Sequence, residues 1–321
     1  MGIKDLLKEL RSITVTRHLS EYKGCRVGVD VMCWMHQGIH RCITKLIQGE
    51  ETDEYVRYIM EFIKLLTDYG LKPLIVLDGK KLLAKRERNM ERKADRDESK
   101  ILAQEALGRG EYELAHSLFK KSIGVTSKMI SKVLVELKKQ RVEYIVAPYE
   151  ADAQLAYLSI NRLVDLVITQ DSDAIVYGCS KTLFKLNKET ATGDEIMRRN
   201  MGDAKGCDGR RLYANWTDDQ FKLFACLAGS DYQSKLPNMG IKTAYKFAKD
   251  NKTYDGICQA LRQSRFKQDA TEEYLVGLKE AWLTFKHQLV YDQRDKCLRH
   301  LTPVASEMMH EVNASFLGNF R

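Results

Sequence analysis

No two of the eight cysteines stand in a CxxC pair; Cys25, Cys33, Cys42, Cys179, Cys207, Cys226, Cys258 and Cys297 are scattered through apolar runs. That distribution excludes a disulfide scaffold and a zinc site built from spaced pairs, and it is the pattern of a reduced intracellular chain. The opening residues MGIKDLL lack the charged-then-apolar profile of a secretory signal, and Leu6 stands where a myristoylation motif needs Ser or Thr. No apolar run is long enough to span a bilayer, and there is no internal repeat or low-complexity tract. A secreted module, a membrane protein and a repeat array are therefore not expected; a soluble intracellular protein is.

What is present is 321 residues at 44% hydrophobic, enough to bury a sizeable core as one large α/β domain or a domain with an appended subdomain. Lys+Arg 52 against Asp+Glu 44 leaves a net charge of +8, which favours a polyanionic partner wherever the excess is clustered.

Short apolar strands are expected at CRVGVD (Cys25–Asp30), KPLIVLD (Lys72–Asp78), Val142–Ala147, Leu163–Thr169, Asp173–Gly178 and Thr182–Leu186. Helical spacing marks Ile3–Leu10, Trp34–Ile47, Asp53–Thr67, Glu111–Lys121 and Ser127–Lys139, and a further helix opened by Pro148 as a first-turn residue. The charged stretch Lys80–Lys100 reads as a long exposed helix. Lys188–Asn215 is polar, Gly-rich and aperiodic, and is expected to be a mobile surface excursion. The remainder is helical at Asp218–Ala228, Ile241–Asp250, Thr253–Arg262 and Thr271–Gln288. Alternating strands and helices imply an α/β fold with a mainly parallel central sheet covered by helices.

In such sheets ligands bind beyond the carboxyl ends of the strands. Three apolar strands end there in acids, Asp30, Asp78, and Asp171 with Asp173, while Glu150 and Asp152 come from the start of a helix. Two carboxylates about 4 Å apart repel by roughly 4 kcal/mol at an effective dielectric of 20, so a cation is expected among them. Oxygen-only ligands favour Mg²⁺ or Mn²⁺ over zinc, and so many acids suit two ions, the arrangement that activates water and stabilises the leaving oxygen in phosphodiester hydrolysis. A single Asp at a strand end is ordinarily a turn former or cap; the whole set is not.

Lys85 and Arg92 lie seven positions apart and share a helix face able to meet a phosphate, although a charge run is usually only a solvated helix. In Leu227–Lys249, Gly229, Pro237 and Gly240 punctuate a turn between helices, with Lys242, Thr243 and Lys246 beyond it and Asp231 inside it. That layout can hold a DNA backbone through helix-start amides, or be an ordinary helical hairpin. His36 follows Asp30 on the next helix, and a satisfied core or surface histidine is its default reading.

The segments MGIKDLL, YKGCRVGVDVMCWMHQG, KPLIVLDGK, APYEADAQLAYL, ITQDSDAIVYG and LAGSDYQSKLPNMGIKTAYK resemble, in order, the motifs of the flap endonuclease/XPG family of 5′ structure-specific nucleases, nearest to its exonuclease one branch. The resemblance runs from Met1 to about Thr302. It implies a PIN-like nuclease core, residues 1–99 and 138–225, with a helical gateway over 100–137 and a helix-two-turn-helix and helical region over 226–321. It further implies that Asp30, Asp78, Glu150, Asp152, Asp171, Asp173 and Asp231 are metal-site acids for two Mg²⁺ ions, with Mn²⁺ as a substitute. Lys85 and Arg92 would orient the scissile phosphate, His36 would pack on the terminal base pair, and Gly2 would lie near the DNA junction. Gly240, Lys242 and Thr243, with Lys246, would grip duplex DNA, with a K⁺ ion held by backbone carbonyls at the helix-two-turn-helix.

On this resemblance the expectation is a monomeric, nuclear, Mg²⁺-dependent 5′→3′ exonuclease with 5′-flap endonuclease activity, acting on duplex DNA with 5′ ends, nicks, gaps or flaps in repair, recombination or end resection. A dedicated flap endonuclease and a non-catalytic DNA-end scaffold are the alternatives. Gln170 stands where relatives carry Glu, Met32 replaces an aromatic, and the chain ends at Arg321 without the long partner-binding tail of relatives. It is expected to be a nuclease domain or a compact form.

Overall fold

The computed structural model describes residues 2–304 and 315–318. The chain opens with α1 (Leu6–Glu9) and β1 (Val15–His18), then β2 (Arg26–Asp30), α2 (Val31–Arg41), α3 (Ile43–Ile47), α4 (Glu54–Asp68) and β3 (Lys72–Leu77). A helical layer follows: α5 (Arg86–Gly108), α6 (Tyr112–Ser122) and α7 (Ser127–Lys139). Next come β4 (Glu143–Val146), α8 (Ala151–Ile160), β5 (Leu166–Ile168), α9 (Asp173–Tyr177), β6 (Lys181–Asn187) and β7 (Thr192–Met197). The last part holds α10 (Asp218–Ala228), α11 (Ile241–Asn251), α12 (Tyr254–Arg262), α13 (Glu272–His287) and the hairpin β8 (Leu289–Asp292) and β9 (Cys297–His300).

Seven strands form one sheet in the order β1-β7-β6-β5-β2-β3-β4. The run from β6 to β4 is parallel, while β7 is antiparallel to both β6 and β1. Pleating divides each strand between two cores. Leu74 and Val76 of β3 join α8, α9, α10 and α13 on one face, while Ile75 and Leu77 join α2 and α4 on the other. The near-continuous apolar strands are thus buried on both sides, as parallel strands are. Because β2 pairs with both β5 and β3, the chain reverses its winding there, and the crevice beyond the strand ends opens at that point.

Several expectations change. Asp173–Gly178 is the helix α9, not a strand: Asp173 N–H donates to Asp171 Oδ1 at 3.0 Å at its start, and Gly178 ends it at φ 108°. An entirely buried AIVY run carries no period to separate the two forms. Lys188–Asn215 is not a mobile excursion, since β7 runs through it as the partner of β1 and β6. Its polar composition masked the strand because one inward residue is Glu195, buried and bonded to the Tyr22 hydroxyl at 2.8 Å.

Pro148 stands outside α8. Its carbonyl and that of Tyr149 accept the amides of Lys80 and Gly79, stitching the loop after β3 to the start of α8. The helix expected over Trp34–Ile47 is divided into α2 and α3. The charged helix starts later than expected, at Arg86 after a 3-10 turn over Leu83–Lys85, and continues to Gly108, with only Ala103 and Ala106 buried. Neither β1 nor the β8–β9 hairpin was expected.

Candidate active site

Neighbouring strand ends deliver the acids side by side. Asp30 ends β2, Asp78 follows β3, Glu150 and Asp152 lie past β4 at the start of α8, and Asp171 and Asp173 lie past β5. Asp231 arrives from the loop after α10. Asp30, Glu150, Asp171 and Asp173 are buried, Asp152 and Asp231 are half-buried, and Asp78 opens onto the crevice.

Asp30, Asp78 and Asp171 are each held by local hydrogen bonds. Asp30 caps α2, its Oδ1 accepting the Met32 amide at 2.9 Å. Its Oδ2 accepts the Cys33 thiol at 2.8 Å and the Thr169 hydroxyl at 2.9 Å. Thr169 Oγ1 accepts the Asp171 amide at 3.0 Å, so one hydroxyl ties the β2 acid to the β5 acid. Asp78 Oδ1 accepts the Ala151 amide at 2.8 Å at the start of α8. Gln170 is turned away to β6, its Oε1 accepting the Lys185 amide at 3.1 Å.

The acids share one field. Burial, reinforced by Asp171 and Asp30, raises Asp152 well above the ordinary carboxyl range, and burial with Asp171 and Asp231 does the same to Asp173. Burial pushes Asp171 up to about 6, and burial with Glu150 pushes Asp78 up to about 7. Asp231 goes the other way. Burial lifts it, but Lys85 and Arg92 outweigh burial and leave it below the usual value.

These two cations are interleaved with the acids. Lys85 Nζ lies 2.6 Å from Glu150 Oε1 and 3.0 Å from Asp231 Oδ2. Arg92 Nη2 donates to Asp231 Oδ1 at 2.6 Å, with Arg88 Nε 3.7 Å from the same oxygen. Lys85 lies in the 3-10 turn before α5 and so does not share a helix face with Arg92 as expected, but both side chains converge on Asp231 among the acids. Among the described residues, no group of three or more Asp, Glu, His or Cys stands in a geometry that could hold a metal ion by itself. The donor set nonetheless suits hard cations: it consists of oxygens, and Asp152 Oδ1 and Asp173 Oδ1 are buried without a hydrogen-bond partner.

Gly2 seals one side. At φ 75°, an added Cβ would lie 2.2 Å from Asp171 Oδ1, 2.4 Å from Ser172 Oγ and 2.8 Å from Asp173 Oδ1, so only glycine fits there. His36 is exposed on α2, in the combined field of Asp30, Arg92 and Arg96. Gly240, Lys242, Thr243 and Lys246 are not part of the acid cluster. Gly240 caps α11 with open space where a Cβ would be. Lys242 and Lys246 are exposed one turn apart, and with Thr243 and Arg265 they line a groove of about 590 Å³. Sequence reasoning missed Thr169, and also Tyr232, whose hydroxyl donates to Glu150 Oε2. A tyrosine beside an apolar hairpin reads as core, and nothing local marked it.

A parallel sheet with acids at four adjoining strand ends, beneath a basic helix and beside a helical hairpin, is a nuclease fold of the PIN type. Two family models match in chain order: the XPG N-terminal domain over residues 1–99 and the XPG I-region over 141–231, between them more than half of the chain. The chain belongs to the flap endonuclease/XPG family. It is 35% identical over 315 residues to exonuclease 1 of Xenopus laevis, covering 97% of this chain and 42% of that protein. In structure it is similar to the catalytic core of Rad2 in complex with DNA substrate, at TM-score 0.63 and 20% identity over 99% of this chain and 95% of that one. It also resembles the Holliday junction-resolving enzyme GEN1 in complex with product DNA and a Mg²⁺ ion, at TM-score 0.51 and 21% identity over 84% of this chain and 55% of that one. The chain spans about two fifths of the length of the curated relatives it matches.

Proposed function

We propose that the chain is a nuclease that removes nucleotides from the 5′ ends of duplex DNA in the 5′→3′ direction and also cuts 5′ flaps, in the nucleus, as a monomer, in repair or end resection. The observation that carries the reading is the set of acids at adjoining strand ends with Lys85 and Arg92 laid among them. The similarity to exonuclease 1 supports the exonuclease assignment over a dedicated flap endonuclease. Residues 1–99 and 138–225 would form the nuclease core, 100–137 a gateway, and 226–321 the duplex-holding region.

Asp152, Asp171, Asp173 and Asp231 would hold one Mg²⁺ or Mn²⁺, with Asp30, Asp78 and Glu150 serving a second, partly through water. Divalent ions there would lower the pKa of a bound water and neutralise charge on the leaving oxygen. The chain's own groups do the rest. Lys85 and Arg92 turn from the acids to the scissile phosphate, where a charge-bearing donor stabilises the negative charge that develops. The α11 start grips the backbone at a distance through Gly240, Lys242, Thr243 and Lys246, with K⁺ at the adjoining turn. Gly2 keeps the N-terminal segment close to Asp171 and Asp173, and His36 meets the terminal base pair.

Labelled nicked, flapped and recessed duplexes incubated with Mg²⁺ or with EDTA test the reading. Cleavage is expected only with Mg²⁺ and is lost in Asp173→Ala. An Asp173→Ala protein that degrades recessed duplex at the parent rate would overturn it.

A further inference from the structure

Glu150 stands at the N-cap of α8, yet its side chain makes no capping bond. Its two oxygens are held from opposite sides, Oε1 by Lys85 and Oε2 by the Tyr232 hydroxyl. Behind Tyr232 the line continues inward. The Tyr232 and Tyr177 hydroxyl oxygens are 2.5 Å apart, and Tyr177 is 2.5 Å from Oε1 of Gln288. The start of α8, the loop after α10, the end of α9 and the residue before β8 are thereby joined in one line, with Tyr177 and Gln288 fully buried.

The line has a direction. A carboxylate beside an ammonium accepts hydrogen bonds, so Tyr232 donates to Glu150. A phenol has one proton, so the Tyr232 oxygen takes its own bond from Tyr177, and Tyr177 in turn accepts from Gln288. Gln288 Nε2 is a buried donor with no partner, and a half-turn of the carboxamide brings it onto Tyr177, which gives both phenol oxygens a donor. Polarised chains of this kind strengthen each bond within them.

The line is also rigid. Phe285 of α13 packs edge-on against both rings, 4.9 Å from Tyr232 at 78° and 4.9 Å from Tyr177 at 62°. Lys85, the other partner of Glu150, reaches it on a flexible four-carbon stem from the start of α5. Once Lys85 turns to a phosphate, Tyr232 alone of these two still fixes the carboxylate. Tyr177 lies four residues after Asp173 on α9, and Tyr232 directly follows Asp231, so the same line fixes three acids relative to one another.

We infer that Tyr232 is a positioning residue, which, backed by Tyr177 and Gln288, holds the Glu150 carboxylate in the orientation that receives a divalent cation. This rests on the reading that Glu150 serves such a cation. Loss of a hydrogen bond behind a metal ligand weakens metal affinity by about 10–100-fold.

The test is Mn²⁺ binding to the DNA-free protein by calorimetry, with a melting temperature for each protein. The variants are Tyr232→Phe, Tyr177→Phe and, as a control, Tyr254→Phe, whose hydroxyl donates to the Leu275 carbonyl at 2.9 Å on the far helices. Tyr232→Phe is expected to weaken Mn²⁺ about 10–100-fold. Tyr177→Phe should weaken it less, and Tyr254→Phe should lower only the melting temperature. Cleavage by Tyr232→Phe should need correspondingly more Mn²⁺ and recover to near the parent rate at saturation. Folded Tyr232→Phe and Tyr177→Phe proteins that bind Mn²⁺ within twofold of the parent would overturn the inference, and if Tyr232→Phe fails to fold, Tyr177→Phe decides it. A parent protein that binds no Mn²⁺ removes the cation reading of Glu150 and the inference together, whereas a binding parent with unchanged variants removes the positioning role alone.

Discussion

Lys85 is bound to Asp231, its ammonium 3.0 Å from Oδ2, so a group suited to a phosphate is closed onto an acid suited to a cation. If, as proposed, a divalent cation takes these oxygens, it competes with Lys85, and its arrival would free the lysine for substrate. Lys85→Ala is expected to bind Mn²⁺ more tightly than the parent in calorimetry without DNA, because the competitor is gone. The same variant should lose about 10²–10³-fold in cleavage rate, the usual effect of deleting one preorganised donor. With its side chain 17% exposed, removing it strands Glu150 and costs about 3 kcal/mol in urea unfolding. Weaker Mn²⁺ binding would contradict the competition.

Asp171 and Asp78, pushed up to about 6 and about 7, fix the sign of a pH effect. Between the unfolded value near 4 and these folded values, the folded state binds protons that the unfolded chain has released. In EDTA, stability from these groups is therefore fully present below about pH 4 and falls as pH rises toward 7, by at most about 1.4 kcal/mol per pH unit for the proton held by buried Asp171 and by less for Asp78, which solvent screens at the crevice. Urea midpoints from pH 5 to pH 7.5 should show the decline, and Asp171→Asn should flatten it while abolishing cleavage. A midpoint rising over that range would refute the repulsion among these acids.

Gly2→Ala is expected to keep the fold and lose activity. The new Cβ would meet Asp171 Oδ1 at 2.2 Å, so the N-terminal segment must shift, and a displacement of about 1 Å near reacting groups costs on the order of 10²-fold in rate. Melting should change by no more than about 2 °C, since a residue forced to positive φ costs on the order of 1 kcal/mol. Parent-like turnover on nicked duplex would show that the contact is immaterial.

Lys246→Ala addresses the groove. Fluorescence anisotropy of duplex binding across a salt series should give a log–log slope smaller by about one, with weaker binding for every sequence alike. An unchanged slope would place the backbone elsewhere.

Much of this molecule was legible in its sequence where local chemistry decided structure. Ser127–Lys139 and Asp218–Ala228 fold as helices over the very residues the spacing marked, and strands ending in Asp30 and before Asp78 read as apolar runs closed by an acid. The acids could be found because charge at a buried strand end is costly without a partner. What could not be read depends on residues far apart. Thr169 meets Asp30 across 139 positions and Tyr232 meets Glu150 across 82, and neither side chain carries a local pattern that announces the other. The pairing of Lys85 with Asp231 belongs to the same kind. The strand β7 was hidden because its inward charge, Glu195, is answered by Tyr22, 173 positions away in the chain.

The sheet order has one more consequence, in time rather than space. Asp30 comes early in the chain, and the acids beside it come from residues as far on as Asp231, after every strand of the seven-stranded sheet. No fragment ending before Asp231 carries the full set, and β2, already flanked by β3, waits for β5 before its second edge is paired. A chain cut or stalled before α10 would hold acids without the loop that brings Asp231 to them. If Asp231 completes the set as proposed, hydrolytic competence is expected only once α10 and the loop after it have been made.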